Sequence, residues 1–243
     1  MKQVTLGEAG LELCGLPWYE HNGGKLWRFP RELEGQISAD LWGCSLQPSG
    51  ARIRFSSDTT SLGIAGSYAP YDPHMAMNNM CRIGQAGVDV YADGRFWMTV
   101  FPESEAEIEK TFFTGAARQM RQFTVYLPIY HHFALQHLQF DDDATIAPPA
   151  PFAVPKPVVF YGTSITQGGC ASRPGLSYQA MLGRELNLDF VNLGFSGLGK
   201  GEVEVAKALA QIEASCYVLD YAQNNPTVEE FASVYPPFLA EIR

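Results

Sequence analysis

The segment Gly162-Thr163-Ser164-Ile165-Thr166-Gln167-Gly168-Gly169 places a serine hydroxyl in a glycine-rich turn directly after the apolar run Val158-Val159-Phe160-Tyr161. Two later segments have the same form. Phe190-Val191-Asn192-Leu193 leads into Gly194-Phe195-Ser196-Gly197, and Tyr217-Val218-Leu219-Asp220 leads into Tyr221-Ala222-Gln223-Asn224. These residue types suit chemistry at a carbonyl. A serine hydroxyl attacks once a base takes its proton. The charge that then builds on the carbonyl oxygen is stabilised by donors already in place, each contributing about 3–4 kcal/mol. A glycine amide can donate with no Cβ in the way, and a carboxamide donates without adding negative charge. Singly, each piece has an ordinary reading as a turn or helix-flanking residue. Their occurrence at three successive strand ends gives the set its weight. It is not a Gly-x-Ser-x-Gly nucleophile elbow, because position 166 is Thr.

The elements that must carry these residues alternate at short intervals. Tyr178, Met181, Leu182 and Leu186 follow helical spacing, as do Val205, Leu209 and Ile212, and Thr227-Val228-Glu229-Glu230 has capping-box form. Buried apolar strands alternating with helices predict an α/β doubly wound fold, with functional residues at the C-terminal ends of its strands. Residues up to about 145 follow a different period. Ile53 and Phe55 alternate with Arg52 and Arg54, Phe123, Val125 and Leu127 with Thr124 and Tyr126, and Val88 and Val90 repeat the pattern. Ala92-Asp93-Gly94 reads as a hairpin turn. Short strands with turns between them predict an antiparallel β-sandwich of jelly-roll type. Between the halves, residues 147–157 hold five prolines in eleven residues, which predicts a stiff extended linker. The expected division is a sandwich domain over 1–146, a linker over 147–157 and an α/β domain over 158–243.

Over residues 158–243 the three segments resemble, in order, the first three sequence blocks of the SGNH (GDSL-like) hydrolases. Gly162 to Gly168 resembles Gly-Asp-Ser-(Ile/Leu)-Thr-x-Gly with Thr163 where Asp is commoner, Gly197 matches the second block, and Asp220 and Asn224 match Asp-x-x-x-Asn. Upstream, Gly87-Val88-Asp89-Val90-Tyr91 resembles the Gly-x-Asp-Leu-Tyr signature of a β-sandwich that precedes certain SGNH esterases. The resemblance implies a flavodoxin-like three-layer α/β/α domain and a serine esterase. It implies Ser164 as nucleophile, an oxyanion hole from the Ser164 amide, the Gly197 amide and the Asn224 carboxamide, and Asp220 as loop support. The family takes its base from a later Asp-x-x-His, whereas all five histidines here (His21, His74, His131, His132 and His137) precede Ser164. Without the base, about a thousandfold acceleration over water is expected to survive from binding and oxyanion donors. The chain is therefore expected to be nearly inactive as written, either a truncated hydrolase or a pseudo-enzyme. A histidine from His131-His132 or another subunit is the remaining way to complete it.

Composition bounds the alternatives. A net charge of -9 argues against nucleic acid and anionic membranes as partners. No apolar run approaches the roughly 18–20 residues of a membrane span, and no signal peptide is evident, so a cytoplasmic location is expected. The five scattered cysteines read as reduced thiols, and neither they nor Asp141-Asp142-Asp143 form a metal-ligand pattern, so no metal or cofactor is expected. The expected substrate is a small acyl ester or acetylated carbohydrate. A competing reading is a carbohydrate-binding or assembly protein with a vestigial hydrolase half, using Trp18, Trp27, Trp42, Trp97, Tyr68 and Tyr71 as a stacking platform. Such aromatics more often fill a core.

Overall fold

The computed structural model describes residues 1–8, 10–69, 78–102 and 106–243. The strands are β1 (Lys2–Val4), β2 (Glu12–Cys14), β3 (Arg52–Ser57), β4 (Leu62–Tyr68), β5 (Val88–Ala92), β6 (Arg95–Val100), β7 (Glu107–Phe113), β8 (Arg121–Tyr126), β9 (Phe133–Phe140), β10 (Ile146–Ala147), β11 (Val158–Gly162), β12 (Phe190–Gly194) and β13 (Cys216–Asp220). The helices are α1 (Ala39–Ser45), α2 (Arg82–Ala86), α3 (Ser164–Gln167), α4 (Tyr178–Leu186), α5 (Val203–Leu209) and α6 (Val228–Glu241).

The first ten strands form two antiparallel sheets, one in the order β1-β9-β4-β7 and one in the order β10-β3-β8-β5-β6, with β2 also on β3. The period-2 residues meet between them: Ile53, Phe55, Val88, Val90, Phe123, Val125, Leu138 and Phe140 share one buried core. Asp93 and Gly94 both take positive φ in the tight β5–β6 turn. This is the expected sandwich.

The other face of the second sheet is buried too, because β3 and β5 have every residue buried. On that face Arg52 pairs with Asp189 and donates to the Phe190 carbonyl. Asp89 and Tyr91 of the Gly-x-Asp-x-Tyr segment clasp the loop before α4. The fully buried Asp89 accepts from the Gly175 amide at 2.8 Å and from the Thr99 hydroxyl at 2.6 Å, with Arg173 Nε at 3.5 Å. Burial raises the Asp89 pKa, against the opposing pull of these donors and of Arg173. A Cβ on Gly175 would overlap the Tyr91 ring, so only glycine permits this approach.

The third sheet is parallel, in the order β12-β11-β13, the 2-1-3 arrangement with which a doubly wound fold begins. One face carries Val159, Tyr161, Val191 and Leu193 against α5 and α6, and the other carries Val158, Phe160 and Phe190 against α4, Tyr91 and Tyr126. The capping box at Thr227 and Glu230 forms as expected, with reciprocal 3.1 Å bonds, and opens α6.

Not all of residues 1–146 lies in the sandwich. The segment from Trp18 to Cys44, turns and α1, contributes Trp18, Phe29, Leu33, Leu41, Trp42 and Cys44 to the core of the parallel sheet. Its apolar residues have neither helical nor strand period because glycine and proline interrupt it, so the sheet reading failed here. Residues 148–157 form no helix or strand, bend over 153–156 and are docked on the second sheet. The Ala150 carbonyl accepts from Arg54, whose guanidinium also stacks on Phe152 at 3.7 Å.

Two stability outcomes follow from these contacts. Asp89→Ala leaves the Gly175 amide and Thr99 hydroxyl without an acceptor and is expected to cost about 3 kcal/mol, read as a lower urea midpoint at unchanged m-value. In Gly194→Ala the added Cβ overlaps the Gln167 backbone nitrogen, and a loss of at least about 2 kcal/mol is expected in the same assay.

Candidate active site

The parallel register sets the site. Gly162 of β11 lies level with Gly194 of β12 on one side and with Asp220 of β13 on the other. Ser164, Gly197 and Asn224 follow these three residues by two, three and four positions, so all three leave the same C-terminal edge of the sheet. Ser164 is the first residue of α3, half-buried, with the fully buried Thr163 as N-cap. The Thr163 hydroxyl is buried and has no hydrogen-bond partner among the described residues. Its position is where the resemblance most often has Asp.

Gly197 is exposed, has φ of +70° and would meet nothing within 4 Å if it carried a Cβ. The left-handed backbone favours glycine here, and no other part of the protein crowds the position. Asn224 ends a short turn of 3₁₀ helix after β13. Its Nδ2 donates to the Phe195 carbonyl at 3.3 Å and the Gly199 carbonyl at 3.0 Å, so the carboxamide grips the loop that carries Gly197. Asp220 accepts from the Gln223 side chain at 3.1 Å within that turn.

The three tips are laced to one another. The Phe195 amide donates to the Gly162 carbonyl at 2.9 Å. The Ser196 amide donates to Gln167 Oε1 at 2.9 Å, and Tyr130 from the sandwich side donates to the Ser164 carbonyl at 3.3 Å. Burial pushes the Tyr130 hydroxyl pKa up, so it remains a donor; the Ser196 side chain and the charge of Arg28 pull the other way. Gln167 and Tyr130 were not singled out in the sequence. Gln167 stands inside the first block, where its helical spacing from Ser164 gave no sign that it turns inward.

No histidine of the described residues supplies a base to Ser164. His21 bonds Glu32 at 2.7 Å, His132 Nε2 lies 3.0 Å from the Gly43 carbonyl, and His137 lies 3.4 Å from the Gln139 side chain. His131 Nδ1 lies 3.3 Å from the His132 carbonyl, and burial lowers its pKa. His74 and Tyr71 lie outside the described residues. Among the described residues, the aromatics of the expected platform do not gather in one place. Trp18 and Trp42 are core residues, and Trp97 packs on Phe113 and Phe123. Trp27 lines a separate cleft of about 450 Å³ with Tyr19, Tyr68 and Phe133. Among the described residues no three His, Cys, Asp or Glu side chains are grouped to hold a metal ion. No helix among them is long and apolar enough to cross a membrane.

Comparison with known proteins gives the family and the fold. Residues 4–146 match the N-terminus of SGNH-hydrolase-type esterases, named for its GxDLY signature, and residues 155–243 match the GDSL-like lipase/acylhydrolase family. Among solved structures, a Bacteroides ovatus protein described as a GDSL-like lipase superposes with a TM-score of 0.88 at 28% identity, over 100% of this chain and 70% of that one. A salicylyl-acyltransferase from a tetracycline biosynthetic pathway shares the fold at a TM-score of 0.80 and 21% identity, over 100% of this chain and 69% of that one. An acetyl xylan esterase from the rumen bacterium Butyrivibrio proteoclasticus does so at 0.62 and 11%, over 100% and 78%. No curated protein matches the chain. With its first 146 residues carrying the GxDLY domain and the remainder the GDSL-like blocks, the chain belongs to the SGNH-type esterases, a family of ester hydrolases.

Proposed function

We propose that Ser164 is the nucleophile of this esterase and that the Ser164 amide, the Gly197 amide and the Asn224 carboxamide receive the oxyanion. The observation that carries the reading is the register that brings all three strand tips to one sheet edge. Attack of the Ser164 oxygen on an ester carbonyl makes a tetrahedral intermediate whose negative oxygen needs donors fixed in advance. Asn224 Nδ2 donates both its hydrogens to loop carbonyls, so it holds the Gly197 loop in the free chain, and receiving the oxyanion requires it to release the longer bond, to Phe195. The proposed substrate is a small acyl ester, acetylated carbohydrate included. The acyl-handling names of two solved proteins of this fold are in keeping with that class.

Hydrolysis also needs a base for the serine proton. Among the described residues no histidine ring or carboxylate hydrogen-bonds the Ser164 hydroxyl, so turnover by this chain is proposed to be slow and limited by that step. Removing the base costs about a million-fold in kcat in a serine protease. An external base should restore part of the loss. With p-nitrophenyl acetate the 243-residue chain is expected to show weak cleavage that imidazole raises at least about tenfold above imidazole alone. Ser164→Ala should abolish both the weak and the rescued activity. Equal rates for the chain and Ser164→Ala, with and without imidazole, would remove Ser164 from the chemistry.

A further inference from the structure

The loop that carries Gly197 is held from beneath by a buried polar chain that begins in the N-terminal half. Arg28 is fully buried. Its Nε donates to the Gln47 carbonyl at 2.8 Å and its Nη2 to the Cys44 carbonyl at 2.8 Å. Its Nη1 donates to the Gly194 carbonyl and, at 3.4 Å, to that of Asn192. The guanidinium lies 4.1 Å from the centre of the Phe195 ring. Among the described residues it forms no ion pair with a carboxylate. Burial lowers its pKa to about 10, which still leaves it charged at neutral pH.

The chain continues through carboxamides. The Gln47 side chain accepts from Gln167 Nε2 at 2.6 Å, and Gln167 Oε1 accepts the Ser196 amide at 2.9 Å. Asn192 donates to the Gln167 carbonyl at 3.3 Å and accepts the Gly194 amide at 3.0 Å. Gln47, Gln167 and Asn192 are all at most 1% exposed. Every residue from 194 to 196 is therefore fixed by Arg28, Asn192, Gln167 or a strand-tip backbone bond, and the next residue is Gly197.

A buried cation paired only with carbonyl dipoles is costly, and core packing alone would be served as well by an apolar side chain. The guanidinium fork does what an apolar group cannot, joining carbonyls of two chain segments in fixed geometry. We infer that Arg28, through Gln47 and Gln167, is a positioning residue that sets the Gly197 amide for the oxyanion. The inference rests on the reading of Gly197 as an oxyanion donor. A misplacement of about 1 Å at such a donor can cost about a hundredfold in rate.

The test uses the full chain with p-nitrophenyl acetate and imidazole, alongside thermal unfolding and the ¹H–¹⁵N resonance of Gly197. Three variants serve: Arg28→Met, Arg28→Lys and Gln167→Met. The first removes the donors that Arg28 gives to four carbonyls and can fail to fold; the other two keep more of the packing. In the folded variants the Gly197 amide resonance is expected to shift and kcat to fall about tenfold to a hundredfold with KM unchanged. Arg28→Lys should retain more activity than Arg28→Met if both fold. An unmoved Gly197 resonance with kcat intact in folded Gln167→Met and Arg28→Lys would overturn the inference. A KM change with kcat preserved would also overturn it. Ser164→Ala is the separate control: if it still turns over, the esterase reading fails, whereas its inactivity beside unaffected positioning variants sinks only the role of Arg28.

Discussion

A parallel sheet must be covered on both faces, because its strands are apolar throughout and its backbone groups are already spent on neighbouring strands. Here three strands meet that demand with material from the whole chain. Helices α5 and α6, joined by the Trp18–Cys44 segment, close one face, and α4 with the outer side of the second antiparallel sheet closes the other. The arginines of β3 and the aspartate and tyrosine of β5 belong to this closure. Strand alternation sends Ile53, Phe55, Val88 and Val90 into the sandwich and Arg52, Arg54, Asp89 and Tyr91 toward the hydrolase layer. The geometry of the strand tips is a product of that double burial.

The site inherits its precision from the same arrangement. Turns at the end of a parallel sheet have few partners of their own, and loops are the parts of a protein most free to move. In this chain the Ser164 turn is held by Tyr130, the second-strand loop by Gln167, and the loop before α4 by Asp89. Each of these holds either comes from the sandwich half or leads back to it through Gln47. A reacting centre of this type works only with donors placed before reaction, and rigid support is what allows that.

Much of this was legible in the residues. The strands β11, β12 and β13 stand out as short apolar runs, and the polar or small residues at their ends mark Ser164, Gly197 and Asn224. The sandwich strands showed through their period of two, and Thr227 with Glu230 announced the start of α6. What stayed hidden had no period to betray it. Trp18, Phe29, Leu33 and Trp42 are spaced by turns, so nothing along the chain said that they would pack on a sheet more than a hundred residues away. The Gly-x-Asp-x-Tyr resemblance marked Asp89, but its partner, the Gly175 amide, is a backbone group with no signature. Arg28 carried one signal, a charge inside the apolar run Leu26-Trp27-Arg28-Phe29. That pattern marks an inward-facing cation only once the surrounding carbonyls are known.

The docked Trp18–Cys44 segment also changes what the proline-rich stretch means. By composition, residues 147–157 look like a seam between two modules, yet Trp18, Phe29 and Trp42 from before that seam lie inside the layer built after it. Severing the chain there would cut a covalent tie and leave one hydrophobic body split in two, each fragment exposing the surface the other was shaped to cover. Such halves are complementary in shape, each closing apolar surface that the other presents.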